Sequence, residues 1–342
     1  MTKGPGRFEF WLVKLEEQLL QALKNENPAL FLYQNDARTK LFMLEGLSRL
    51  YAGLHNKKLF CKLEKQFKSL EDLLGTVDYY DAFAKDFLAD PEMPLTVRMA
   101  MEQRRDEKLA EINTILKKKR WLTRDLKRTK KIRKKLLKAD WKKPQKETEL
   151  FGEFYAGSVK KIDAFYAATG DQFTNLESQV HDLRRKLRWL SIYPQALQGA
   201  IQLADNNTTD EATAKYLTPE IVNSPFNKLP AQGSNESVFL LEKKYFLALS
   251  YMISALGKLK DAGLRIIATA EGIQITQFVP PDIAMNRAFE LNKTDNKGLE
   301  NIMARAKELC RPYFENRLLE KIIAAAGEKE SIPAPATATA KP

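Results

Sequence analysis

The side chains best suited to chemistry in this chain of 342 residues are basic, and they come in groups. His181, Arg184, Arg185 and Arg188 follow at spacings of three, four and seven, which places them on one face of a helix. Arg38 and Lys40 offer a shorter version of the same pattern. The densest group fills residues 117–146, where 16 Lys and Arg stand against Asp125 and Asp140, a net charge of +14. The whole chain carries +12, so the remainder is slightly acidic and one segment accounts for the basicity. Within it Lys117, Arg120, Arg124, Lys127, Arg128, Lys131 and Lys135 recur about one helical turn apart. Such an array suits a polymer with one negative charge every few ångströms, because releasing the polymer's counterions supplies much of the affinity. Arg adds bidentate contacts to phosphate oxygens, and Lys adds mobile point charges. A solubilising surface mixes both signs, and this segment does not.

Other chemistries lack their residues. There is no Gly-rich phosphate loop, dinucleotide fingerprint or nucleophile elbow. His55 and His181 are the only histidines and have no metal-ligand spacing. Carboxylates are numerous but alternate with Lys on helix surfaces, as in Glu64/Lys68, leaving no clustered set to hold a divalent cation for phosphoryl transfer. Cys61 and Cys310 fit neither a redox nor a zinc motif and read as buried thiols of a cytoplasmic protein. The expectation is a polyanion-binding protein that needs no cofactor or metal and catalyses nothing.

These side chains must be carried by helices. Apolar residues recur every three to four positions at Trp11, Leu12, Leu15 and Leu19, and again at Leu41, Leu44, Leu47 and Leu50. Residues 59–88, 151–168, 173–203, 238–259 and 299–325 continue the pattern, and residues 95–140 fit one helix or two. Asn27-Pro28, His55-Asn56 and Asp90-Pro91 punctuate it, and such short breaks favour a bundle. In the basic segment Leu122, Leu126, Thr129, Ile132 and Leu136 make a narrow seam that would dock a cationic helix. Residues 141–149 read as a linker, 205–237 as an inserted surface loop with one short helix, and 332–342 as a disordered Pro/Ala/Thr tail. Residues 265–279 are β-branched around Glu271-Gly272 and fit either a small hairpin or a helix. The longest apolar stretch, residues 245–256, is broken by Ser250 and Ser254 and is too short for membrane insertion. The predicted class is therefore all-α, with a first half at 8–146 and a second at 151–325.

The halves share a pattern. Residues 35–41 (NDARTKL) align with 181–187 (HDLRRKL) through Asp, Arg, Lys and Leu, and Leu74-Gly75 aligns with Leu256-Gly257. The offset grows between the two pairs by about the length of the 205–237 insertion, which points to a duplicated helical unit. His181-x-x-Arg184 with Arg188 one turn later, its partial copy Asn35-x-x-Arg38, and the two Leu-Gly pairs resemble the CHAD family, the conserved histidine α-helical domain. The resemblance covers residues 8–325. It implies two pseudo-symmetric four-helix units, binding of inorganic polyphosphate by the motif residues, and association with polyphosphate granules. This sequence departs from the pattern at Asn35, Phe42, Glu45 and Ser191, which weakens the first half-site. Two other partners compete. RNA or DNA could bind residues 117–146, with Trp121 and Trp141 as candidate stacking surfaces. An anionic membrane surface or acidic protein could do so too, although the basic helix lacks the broad apolar face that insertion needs.

Overall fold

The computed structural model describes residues 3–205, 211–235 and 237–327. Helix α1 (Gly4–Ala22) buries Leu12, Leu15 and Leu19 at the spacing seen in the sequence. Asn27 caps α2 (Pro28–Gln34) by accepting from the Leu30 N–H, and Pro28 fills the first turn, where no donor is needed. Asp36 and Asn56 take left-handed backbone just before α3 (Ala37–Leu54) and α4 (Lys57–Ala89), a conformation that short polar side chains tolerate. Helix α5 (Leu95–Lys118) then packs along α4.

The second part opens with α7 (Pro144–Ala167), a single π turn (Leu176–His181) and α8 (Asp182–Ala196). Short strands β1 (Ile201–Ala204) and β2 (Phe239–Glu242) pair in parallel, Ile201 opposite Phe239. Between them lie α9 (Glu211–Ala214) and α10 (Pro219–Val222). Helices α11 (Lys243–Gln277), α12 (Pro281–Leu291) and α13 (Gly298–Glu315) complete an all-α architecture.

Helix α3 packs against α1, α4, α7 and α8, and α11 packs against α5, α8, α12 and α13. The two motif helices, α3 and α8, therefore meet at the centre. One core runs from Phe8 through Leu44, Leu190 and Leu249 to Tyr313. A smaller core joins Phe87 and Val97 to Ile266 and Phe289. Each fully buried Leu of α3 contributes about 1.5–3 kcal/mol relative to exposure. A buried polar knot adds a specific tie: Arg7 of α1 donates to the Tyr51 hydroxyl and to Glu147, both at 2.6 Å, and Tyr51 donates to Glu147 at 2.7 Å.

Several expectations need correction. Residues 265–279 are not a hairpin but mostly the end of α11, which buries Ile266, Ala268, Ala270 and Ile273 on more than one face. Gly272 there marks a close approach rather than a turn, since a Cβ would meet the Val97 side chain at 2.8 Å. Residues 117–146 are not one helix. Helix α5 ends at Lys118, Arg120 and Leu126 adopt positive φ, and only α6 (Lys127–Leu136) is helical in the basic run. The interruption lets Trp121 reach the core, where it is 2 % exposed. The supposed linker 141–149 is shorter than expected, because Pro144 starts α7. The 205–237 insertion holds α9, α10 and a 3₁₀ turn (Pro225–Asn227) rather than one short helix, and its residues 206–210 and 236 lie outside the described residues. The 332–342 tail also lies outside them.

Candidate anion-binding site

Two basic depressions flank α4. The first is a cleft of about 380 Å³ where α3 meets α8, and it gathers most of the motif residues. Arg38 enters from α3 and is fixed by Glu71 at 2.8 Å and Asp78 at 2.7 Å. Its guanidinium lies flat against Gly75, where a Cβ would come within 2.8 Å of Nη2. Arg184 of α8 takes the corresponding place against Gly257, where a Cβ would lie 3.0 Å from Nε, and that nitrogen donates to the Ile253 carbonyl at 3.1 Å. The two aligned segments thus make the same arginine-on-glycine contact.

Arg188, one turn further along α8, is different. Its guanidinium sits 4.7 Å over the Phe42 ring, and Phe42 stacks on Trp189 with centroids 4.6 Å apart. Among the described residues no carboxylate lies within ion-pair distance of it. Burial, then Arg184 and Arg38, pull its pKa down to about 10, with Glu71 and Asp78 opposing. Burial likewise lowers Arg184, with Arg38 adding to the effect and Asp261 opposing it. Phe42 is therefore the platform that holds Arg188.

Glu45 is 2 % exposed and 3.2 Å from Arg49. Its second oxygen, Oε2, has no hydrogen-bond partner. Burial pushes this carboxyl up to about 7, Arg49 opposing and Glu71 adding. Arg49 also reaches Glu64 at 3.1 Å and lies 4.5 Å over Trp189. On the far wall His181 Nδ1 is 2.7 Å from Glu177, within the π turn. Arg185 lines the cleft 3.7 Å from Asp182. Two motif positions stay out of it: Lys40 pairs with Asp36 at 3.1 Å, and Asn35 caps α2 by donating to the Phe31 carbonyl.

The second depression is a groove of about 370 Å³ between α4 and α6. Lys62 and Lys65 line it from α4, Lys119 from the end of α5, and Arg128, Lys131 and Lys135 from α6. Trp121 and Ile132 form its floor. Among the described residues no carboxylate lines it. Burial lowers the Lys135 ammonium, and Lys62, Lys131 and Arg128 lower it further. Of the other expected contacts, Lys117, Arg120, Arg124 and Lys127 are exposed and lie outside the groove. Arg133 turns inward instead, pairing with Glu9 at 2.8 Å and with Glu16, while Thr129 also donates to Glu16, so this face docks α6 on α1.

Sequence reading missed Arg49, Glu71, Lys62, Lys65 and Lys119. Lys119 carried a signal as part of the basic run 117–146, and Lys62 and Lys65 through a three-residue spacing on the polar face of α4. Neither candidate stacking tryptophan presents a free face. Trp121 is buried, and Trp141 packs among Phe8, Tyr51 and Phe60 and donates to the Leu136 carbonyl at 2.8 Å. Among the described residues no three His, Cys, Asp or Glu are grouped to hold a metal ion, and no helix is long and apolar enough to cross a membrane. The chain matches no known protein family, no curated protein and no solved structure.

Proposed function

We propose that this chain binds inorganic polyphosphate, or a polyanion very like it, in the cleft between α3 and α8, and that it acts by binding rather than catalysis. The observation that carries the reading is Arg188. Its guanidinium is half-buried near Arg184 and Arg38, and the carboxylates that act on it, Glu71 and Asp78, are already paired with Arg38, so an anion would relieve the desolvation and repulsion it bears. Phosphate oxygens match the planar fork of donors that Arg188 offers and the donors that Arg38 and Arg184 keep beyond Glu71, Asp78 and the Ile253 carbonyl. The His-x-x-Arg resemblance points to the same ligand. The matching contacts at Gly75 and Gly257 support a duplicated unit whose two copies face each other across the cleft. A cytoplasmic, granule-associated protein is the corresponding cellular reading.

The burial of Trp121 and the packing of the half-buried Trp141 among Phe8, Tyr51 and Phe60 favour polyphosphate over nucleic acid, since stacking of single-stranded bases needs an open aromatic face. The deciding experiment is a competition titration at near-physiological salt, with long-chain polyphosphate against single- and double-stranded DNA and RNA. Polyphosphate should win per unit charge. Arg188→Ala should weaken its binding by about tenfold or more, the worth of one charge-assisted contact. A nucleic acid that binds more tightly per charge, or an Arg188→Ala variant that binds normally, overturns the reading.

A further inference from the structure

The groove between α4 and α6 plays no part in that reading, and its composition calls for a ligand of its own. Six cations converge from three chain segments: Lys62 and Lys65, Lys119, and the row Arg128, Lys131 and Lys135. Cations repel, so a protein surface that brings six together without a carboxylate is held under electrostatic strain. The coupling is direct. Lys62 of α4 and Lys131 and Arg128 of α6 all depress the Lys135 ammonium, so the two helices share one field across the groove.

Shape adds to charge. Trp121 and Ile132 close the bottom, and Arg128 lies 5.4 Å over the Trp121 ring. The Arg128 Nε is shielded from solvent and has no hydrogen-bond partner. Gln66 and Ser69 add neutral polar groups to the α4 wall. From Arg128 to Lys135 is seven residues, about 10 Å along the helix. The cations therefore surround a short concave site and do not form a long track.

We propose that this groove is a second anion site, separate from the cleft, and that it takes a compact ligand bearing three or more phosphoryl groups. A phosphomonoester carries about −1.5 to −2, so three such groups nearly balance six cations, and a polyphosphate end, with about −1 on each internal group, offsets most of them. A single phosphate would leave most of the repulsion in place. The ligand chemistry has two sources, a free small molecule with several phosphates or the end of a polyphosphate chain.

The test uses the full chain, with calorimetric titration of inorganic tripolyphosphate, myo-inositol hexakisphosphate and orthophosphate. The wild type should bind the first two at least about tenfold more tightly than orthophosphate, as several charge-assisted contacts require. Lys62→Ala with Lys131→Ala removes one exposed cation from each wall and should cost about tenfold or more in that binding. The double variant should keep its helical circular dichroism, because both side chains point to solvent. Preference for hexakisphosphate over tripolyphosphate identifies a free small molecule as the source, and the reverse identifies a chain end. In an Arg188→Ala background, which removes the cleft's contribution, the lysine double change should still cost compact-ligand binding, which keeps this result separate from the fate of the cleft. Equal affinity for orthophosphate, or unchanged binding by the lysine double variant, overturns the proposal.

Discussion

The cleft between α3 and α8 and the groove between α4 and α6 are each lined by six Lys and Arg side chains, yet they differ in what faces them. In the cleft Glu45, Glu71, Asp72 and Glu177 share the walls, and most cations are held by a named partner. In the groove the cations face one another. Carboxylates fix guanidinium geometry and lower net charge together, so they trade raw attraction for a set orientation. A site of bare cations keeps the attraction and leaves orientation to the ligand. If both take anions, as proposed, the cleft should select by geometry and the groove by charge.

The largest effect expected from this contrast comes from reversing charge in the cleft. Arg184→Glu with Arg188→Glu should weaken long-chain polyphosphate binding by about a hundredfold or more, as two charge-assisted contacts become repulsive. Tripolyphosphate binding to the groove should change by less than about threefold, because these residues do not line it. Equal losses in isothermal titrations of the two ligands would erase the distinction.

Salt should separate the sites next. The Debye length falls to about 3 Å at 1 M salt, which screens the exposed lysines of the groove far more than the half-buried arginines of the cleft. Groove binding should drop by more than about tenfold between 0.1 and 1 M, and cleft binding by less, in parallel titrations.

A smaller effect concerns pH. The Glu45 carboxyl sits at about 7, above its ordinary value, so it is neutral in the cleft at mildly acid pH and gains charge as pH rises through 7. Cleft affinity should fall over that step by about threefold to tenfold, the size of one like charge a few ångströms from an anion. The same shift makes the folded protein bind more protons than the unfolded chain between the ordinary carboxylate range and 7. Its stabilising contribution is therefore present at the acid end and lost as pH rises through 7. Glu45→Gln should flatten the affinity profile, read as binding constants at pH 6 and 8. Groove affinity should not follow Glu45 at all.

The smallest effect is at Lys40. Its side chain pairs with Asp36 on the surface, so Lys40→Ala should shift stability by less than about 1 kcal/mol and leave both binding constants unchanged. A clear loss of polyphosphate binding would place this motif lysine back in the cleft.

The contrast also explains what the sequence revealed. The helices of the bundle were legible because Leu41, Leu44, Leu47 and Leu50 repeat at helical spacing and are all buried. The cleft was half legible, since Arg184 and Arg188 share a face and Arg38 begins the matching segment. Its carboxylates were not, because Glu71 reaches Arg38 from another helix, 33 positions away. The groove was less legible still. Lys62 and Lys131 belong to separate helices, and only tertiary packing makes them neighbours. The run 117–146 reads as one helix because its seam residues keep the helical period. Burying Trp121 at the floor of the groove requires the chain to leave that helix and turn. Residues 265–279 misled through propensity: Ile266 and Ile273 favour strands weakly, and the packing of α11 against α5 and α12 outweighs that preference.

The knot of Arg7, Tyr51 and Glu147 has a consequence for synthesis. Its cation and phenol lie on α1 and α3, whereas its only carboxylate is on the first turn of α7. A nascent chain that has reached residue 143 holds Arg7 in an apolar setting with no counter-charge. Closing the early helices tightly around it would cost several kcal/mol until α7 leaves the ribosome. The early helices should therefore wait in a loose state, and the arrival of Glu147 should lock them. A chain truncated before Pro144 should consequently exchange its α1 and α3 amide hydrogens faster than the full protein does.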